Sequence, residues 1–226
     1  GVNIEEKPMR YYPNGPLAGH LLGYIGQIDQ QELERYCLEL YGINDKIGKI
    51  GLERVYELVI QDGEEIGLRG KKGAQQVEVN NLGQVVNQRP LTIHPVPGNT
   101  LELTIDAKLQ KVMEKTMDEV IAEVKQKFPK AGAGGAVLID VKTGAILAMA
   151  SKPDINPNDF VDGSFGEKAD YYNDKNILPA YNRVIQAAYP PGSTFKMITG
   201  LAALASGKVS PQETVVCAGS YWKPPY

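Results

Sequence analysis

The run Tyr189-Pro190-Pro191-Gly192-Ser193-Thr194-Phe195-Lys196 holds the residue types that nucleophilic acyl transfer needs, at a spacing that can bring them together. Two prolines and a glycine set a stiff turn. Ser193 then falls in the first turn of an apolar helix, where unpaired backbone N–H groups and the helix dipole favour developing negative charge. Lys196 follows three residues later on the same helical face. Its amine can take the proton that a serine hydroxyl must lose to become a useful nucleophile. At the reference value of about 10.4, only about one lysine in 2,500 is neutral at pH 7, so burial and neighbouring cations must favour the neutral amine. The string S-x-x-K is short enough to arise by chance. A second copy, Ser220-Tyr221-Trp222-Lys223, runs into Pro224-Pro225 with no apolar helix behind it and is discarded. Ser193 and Lys196 are the candidate pair, set against the plainer alternative of an N-cap serine beside a surface lysine.

Other chemistries lack their parts. A Ser-His-Asp hydrolase needs a G-x-S-x-G elbow, which does not surround Ser193, and the chain's two histidines, His20 and His94, both lie far upstream with a structural role expected. Cys37 and Cys217 form no C-x-x-C or Cys/His cluster, so neither a metal site nor a cofactor is implied. Cys37, at helical spacing with Leu33, Tyr36, Leu40 and Tyr41, reads as a core residue. The formal charge of -3 argues against nucleic acid as a partner. A 42% hydrophobic and 23% charged composition over 226 residues is that of a chain with a real core and two domains. No apolar run is long enough to span a bilayer.

The elements that must position the pair can be read from periodicity. Residues 1–97 are rich in glycine and short β-like runs, with a hairpin expected around Asn81-Leu82-Gly83 and one helix opened by Asp29 and Glu32 as a capping box. Pro95-Val96-Pro97-Gly98 marks a boundary, giving domains 1–97 and 98–226. In the second, Leu101–Ile105 alternates like a strand, and Asp106 can cap a long helix with Leu109, Val112, Met113, Met117, Val120, Ile121 and Val124 as its apolar stripe. Residues 136–140 and 145–149 form a hairpin about Lys142-Thr143-Gly144, residues 151–182 read as a surface loop, and the helix from Ser193 to Ser206 is apolar enough to belong in an interior. The fold class is α+β. Arg69, Lys71 and Lys72 make a small basic turn that reads as solvated, with an anionic lipid or a partner as the alternative.

Taken together, Tyr189 to Lys196, Asn182-Arg183 and Asp140 to Met149 resemble the nucleophile segment, the preceding N-R pair and the first hairpin of the penicillin-binding proteins, whose S-x-x-K, S-D-N and K-T-G motifs define their serine chemistry. Upstream, Arg10-Tyr11-Tyr12-Pro13, Leu21-Leu22-Gly23-Tyr24, Gly48-Lys49-Ile50-Gly51-Leu52-Glu53 and Leu68 to Gly73 resemble the β-rich pedestal, or dimerisation-type, domain of class B members. Pro157 to Gly163 looks most like the elongation-specific group, penicillin-binding protein 2, with division and sporulation members left open. The resemblance implies a pedestal followed by the N-terminal part of a transpeptidase domain, an antiparallel sheet with a buried nucleophile helix. It implies an extracytoplasmic D,D-transpeptidase, anchored in the bacterial cytoplasmic membrane by an N-terminal helix outside this chain. That enzyme would cross-link the stem peptides of glycan strands derived from lipid II and be acylated by β-lactams. Expected partners are a SEDS glycan polymerase and an elongation scaffold protein; no cofactor or metal is expected.

The departures are as informative. No S-x-N follows Ser193, and the one K-T-G, Lys142 to Gly144, precedes the nucleophile in a hairpin turn, so Lys142 reads as structural. The chain therefore reads as a piece truncated at both ends, inactive alone. The rival reading from another class is a non-catalytic scaffold or interaction module for the cell-wall synthesis complex. A β-lactamase or drug sensor is disfavoured, because those families lack the pedestal motifs.

Overall fold

The computed structural model describes residues 10–36, 40–82, 85–214, 216 and 219. Cys37, Cys217, Gly83 of the first expected hairpin and the discarded Ser220–Lys223 copy lie outside the described residues. The chain divides into two compact units, Gly1–Ala187 and Ala188–Tyr226.

The first unit opens with α1 (Gly19–Leu22), β1 (Ile25–Gln27), α2 (Gln30–Tyr36), β2 (Lys46–Gly48) and α3 (Gly51–Val55). The capping box forms as expected: Asp29 Oδ1 accepts from the Glu32 N–H at 2.9 Å, and Glu32 Oε2 accepts from the Asp29 N–H at 3.0 Å. It starts α2 so that Leu33 joins Ile28, Tyr41 and Ile47 in a buried cluster flanked by Tyr36 and Leu40. β1 and β2 pair antiparallel over this cluster, Gly26 opposite Ile47. Two carboxylates, Glu53 and Glu57, are buried in the same unit. Glu53 takes the Arg10 guanidinium through both oxygens at 3.0 Å, while Glu57 accepts from the Tyr41 hydroxyl and the Gly48 N–H, each at 2.9 Å. Burial pushes the Glu57 carboxyl up from its ordinary value. Arg69 is not a free cation of a solvated turn: it pairs with Glu65 at 2.6 Å, donates to the Leu40 carbonyl and lies over the Tyr41 ring, and Lys72 pairs with Asp45. β3 (Ile60–Gln61) and β4 (Glu64–Glu65) form a short ladder, and β5 (Ala74–Val79) pairs antiparallel with β6 (Val85–Ile93), the expected hairpin.

The unit continues with helix α4 (Ala107–Lys127) against the antiparallel pair β7 (Gly134–Ile139) and β8 (Ile146–Lys152). Asp106 caps α4 through the Lys108 and Leu109 N–H groups. The expected strand at Leu101–Ile105 is irregular chain, held to β8 by the Thr104 hydroxyl on the Ile146 carbonyl and the Asp106 N–H on the Leu147 carbonyl. The expected apolar stripe of α4 holds in part, with Met113, Met117 and Ile121 half-buried and the latter two beside Gly134 of β7, but the face is rotated. Leu109, Val112, Val120 and Val124 are exposed, and the buried residues are Gln110 and Glu114. The physical reason is that β8 presents an unpaired edge at Met149, which a polar side chain of α4 satisfies. Gln110 Nε2 donates to the Met149 carbonyl at 2.8 Å, and its Oε1 accepts from the Met149 N–H at 2.8 Å.

Residues 153–187 do more than wrap over the surface. Short helical turns at Pro157–Phe160 and Ser164–Lys168 are followed by α5 (Ala169–Tyr172) and α6 (Arg183–Gln186), and Ile155, Pro157, Asp159 and Pro179 are buried. The segment grips the first sixty residues. Asn158 exchanges two hydrogen bonds with the Tyr12 backbone, each 2.9 Å, and Phe160 stacks on Tyr24 with ring centroids 3.7 Å apart. Gly19 lies so near Ile155 that a Cβ there would meet the Ile155 carbonyl at 2.3 Å.

Candidate active site

Ser193 lies in a single 3-10 turn, Gly192–Phe195, that runs without a break into α7 (Lys196–Ala205) in the second unit. Gly192 adopts φ +56, a left-handed conformation that glycine takes without strain and that turns the chain out of Pro190-Pro191. Thr194 then fixes the turn: its hydroxyl donates to the Pro191 carbonyl at 2.6 Å, and its N–H reaches the same oxygen at 3.3 Å. The Lys196 N–H donates to the Ser193 carbonyl, so the two residues stand one tight turn apart, at the spacing the sequence implies.

Among the described residues, neither the Ser193 hydroxyl nor the Lys196 ammonium has a hydrogen-bond or ion-pair partner within the chain. The turn carries no side-chain cap, so its first N–H groups stay free to meet an anionic oxygen. What the pair can do is acyl transfer from an ester or amide carbonyl: hydroxyl as nucleophile, amine as proton acceptor, turn N–H groups as oxyanion donors.

Within its own unit the helix behind the pair is uncovered. Met197 is 70% exposed, Ile198 58% and Leu201 68%, and no residue of α7 is buried. Ten residues with so little polarity form a helix because Leu, Met and Ala favour it, but burial needs facing elements that the described residues of its own unit do not supply.

The other described residues singled out from sequence belong to the first unit. Asn182 caps α6, accepting from the Val184 N–H at 3.1 Å, and Arg183 is buried with its guanidinium on the Ile177, Leu178 and Tyr181 carbonyls. Lys142 occupies the β7–β8 turn, where its N–H donates to Asp140 Oδ1 at 2.8 Å. His20 is buried, with Nε2 2.7 Å from the Pro179 carbonyl, and burial holds its imidazole below the ordinary value. His94 is exposed. No group of three or more His, Cys, Asp and Glu side chains among the described residues is arranged to hold a metal. Sequence reading missed the buried polar bridge of Gln110 and Glu114; its signal was a pair of polar residues four apart on either side of Met113, inside a stripe otherwise read as apolar.

Two family models cover most of the chain. Residues 1–103 match the penicillin-binding protein dimerisation domain, and residues 134–226 match the penicillin-binding protein transpeptidase domain. The chain is 36% identical over 231 residues to the peptidoglycan D,D-transpeptidase MrdA of Escherichia coli K12, covering 100% of this chain and 33% of that protein. Among solved structures, penicillin-binding protein 2 in complex with MreC from Helicobacter pylori is similar at TM-score 0.65 and 32% identity, covering 92% of this chain and 34% of that one. Pseudomonas aeruginosa penicillin-binding protein 2 in complex with WCK 5153 is similar at TM-score 0.63 and 30% identity, covering 98% of this chain and 40% of that one. The chain spans about a third of the length of the curated relatives it matches.

Proposed function

This chain belongs to the penicillin-binding proteins that carry a dimerisation domain and a transpeptidase domain, and from that premise we propose that it is part of a peptidoglycan D,D-transpeptidase of cell-wall elongation. The observation that carries the reading is the uncapped turn at Ser193, with Lys196 one turn on. Ser193 Oγ attacks the penultimate D-Ala carbonyl of a stem peptide while its proton passes to the Lys196 amine. The tetrahedral oxyanion rests partly on the Ser193 N–H, and the loss of one such donor typically costs about 2.7 to 4 kcal/mol of transition-state stabilisation. D-Ala leaves with a proton, and the amine of a neighbouring stem peptide then displaces the serine to form the cross-link. A β-lactam carbonyl would acylate the same hydroxyl.

The domain boundary of this reading lies at 97/98, supported by Pro95-Val96-Pro97-Gly98. Residues 1–97 form a pedestal that contacts an elongation scaffold protein and a SEDS polymerase; the solved complex of a similar protein with MreC supports the scaffold contact. The enzyme works at the extracytoplasmic face of the cytoplasmic membrane, and no helix among the described residues is long and apolar enough to cross it. Residues 194–226 contain neither S-x-N nor K-T-G, so this chain by itself is expected to be inactive.

A fluorescent penicillin tests the assignment on the full-length parent. Labelling is expected in the wild type and absent in Ser193→Ala. No labelling of the wild type would favour the scaffold reading, and labelling that survives Ser193→Ala would remove Ser193 as the nucleophile.

A further inference from the structure

Within the first unit, a cavity of about 10 Å³ lies where residues 16–20 meet α4, β8 and Asp154; it is lined by His20, Glu114, Ser151 and Asp154 among others. Each lining side chain has a defined hydrogen-bonding state. The Pro179 carbonyl 2.7 Å from His20 Nε2 can only accept, so Nε2 carries the ring hydrogen and Nδ1 of the neutral imidazole is an acceptor. Glu114 Oε1 takes the Ala18 N–H at 2.8 Å and the Gln110 amide at 2.7 Å, while Oε2 has no partner among the described residues. Asp154 Oδ2 takes the Lys152 ammonium at 2.7 Å and Oδ1 is likewise unclaimed. The Ser151 hydroxyl spends its hydrogen on the Tyr181 carbonyl and accepts from the Arg183 N–H. The side chains around the cavity therefore offer acceptors and no spare donor.

Two of those acceptors belong to residues more than nine-tenths buried, His20 at 7% and Glu114 at 9% exposure, whereas the Asp154 side chain is 32% exposed and meets solvent. No fully buried side-chain polar atom among the described residues lacks a partner, so Nδ1 and Oε2 face open volume rather than packed protein. A volume near 10 Å³ is about what one water needs, and water brings two donors into that space. We propose that this cavity binds one water molecule, which donates one hydrogen to Glu114 Oε2 and the other to His20 Nδ1. The water is a second tie between residues 16–20 and α4, beside the Ala18 N–H on Glu114. It is as strong as many direct hydrogen bonds, because the alternative is two buried acceptors without a donor.

The test has two arms, both on the unsubstituted chain at pH 8. A crystal structure is expected to show a single solvent peak about 2.7–3.0 Å from both His20 Nδ1 and Glu114 Oε2; an empty cavity, or a peak ligated like a metal ion with five or more oxygens, would overturn the proposal. In solution, the ¹⁵N pattern of the His20 ring is expected to report the Nε2–H tautomer with an unprotonated Nδ1, and the ring protons should show a nuclear Overhauser effect to a long-lived water. An Nδ1–H tautomer, or a ring without that water signal, would refute it without any need for crystals.

Discussion

Replacing Gln110 by methionine removes a side-chain amide that is fully buried and serves as a one-residue strand along the open edge of β8. Three hydrogen bonds disappear: the donation to the Met149 carbonyl, the acceptance from the Met149 N–H, and the donation to Glu114 at 2.7 Å. Methionine has nearly the same length and volume, so the cavity contribution is small. What is left is a buried Met149 N–H and C=O with no partner, each costing about 1–3 kcal/mol. The expected loss is then about 2–6 kcal/mol, equivalent to a Tm fall of roughly 4–24 °C for a chain of this size. Denaturant unfolding of the 226-residue chain, followed by circular dichroism, measures it. Val112→Ala on the exposed face of the same helix is the control, expected within about 0.5 kcal/mol of wild type. A loss below about 1 kcal/mol for Gln110→Met, with Val112→Ala neutral, would mean that water reaches the β8 edge and the amide is dispensable. That result would refute the explanation offered for the rotated face of α4.

Two further expectations concern the seam between the first sixty residues and residues 153–187. His20 titrates below its ordinary value because burial disfavours the cation. The folded chain thus binds fewer protons than the unfolded one, and stability that is fully present above pH 6.5 should drain away as pH falls through that value toward the folded-state one. His20→Gln should flatten this slope between pH 7.5 and 5.5 in urea titrations, and an unchanged slope would sink the assignment. Phe160→Ala, which removes the ring stacked on Tyr24 and packed near Phe165 and Tyr172, should cost roughly 2–4 kcal/mol and leave the β7–β8 hairpin intact by hydrogen exchange.

The local features of this fold were legible where a short-range rule decides them. Asp29 with Glu32, Asp106 ahead of an apolar helix and Lys142-Thr143-Gly144 between two β runs each act within four residues, and each appears in the structure in that role. The Ser193–Lys196 turn belongs to the same class: proline, glycine and one threonine fix it without help from afar. Misreadings arose where a distant element decides. Periodicity marks where apolar residues recur, but the buried face of α4 is chosen by the hydrogen-bonding need of the β8 edge, so Gln110 and Glu114 displace Leu109 and Val112. Likewise a polar, proline-rich stretch reads as loop until its rings and amides are seen to grip Tyr12 and Tyr24, partners 130 or more residues upstream. The exposure of α7 follows the same logic in reverse. Its apolar composition states a need for cover, but composition carries no information about which residues provide it, and that cover must come from surfaces beyond those 10 residues.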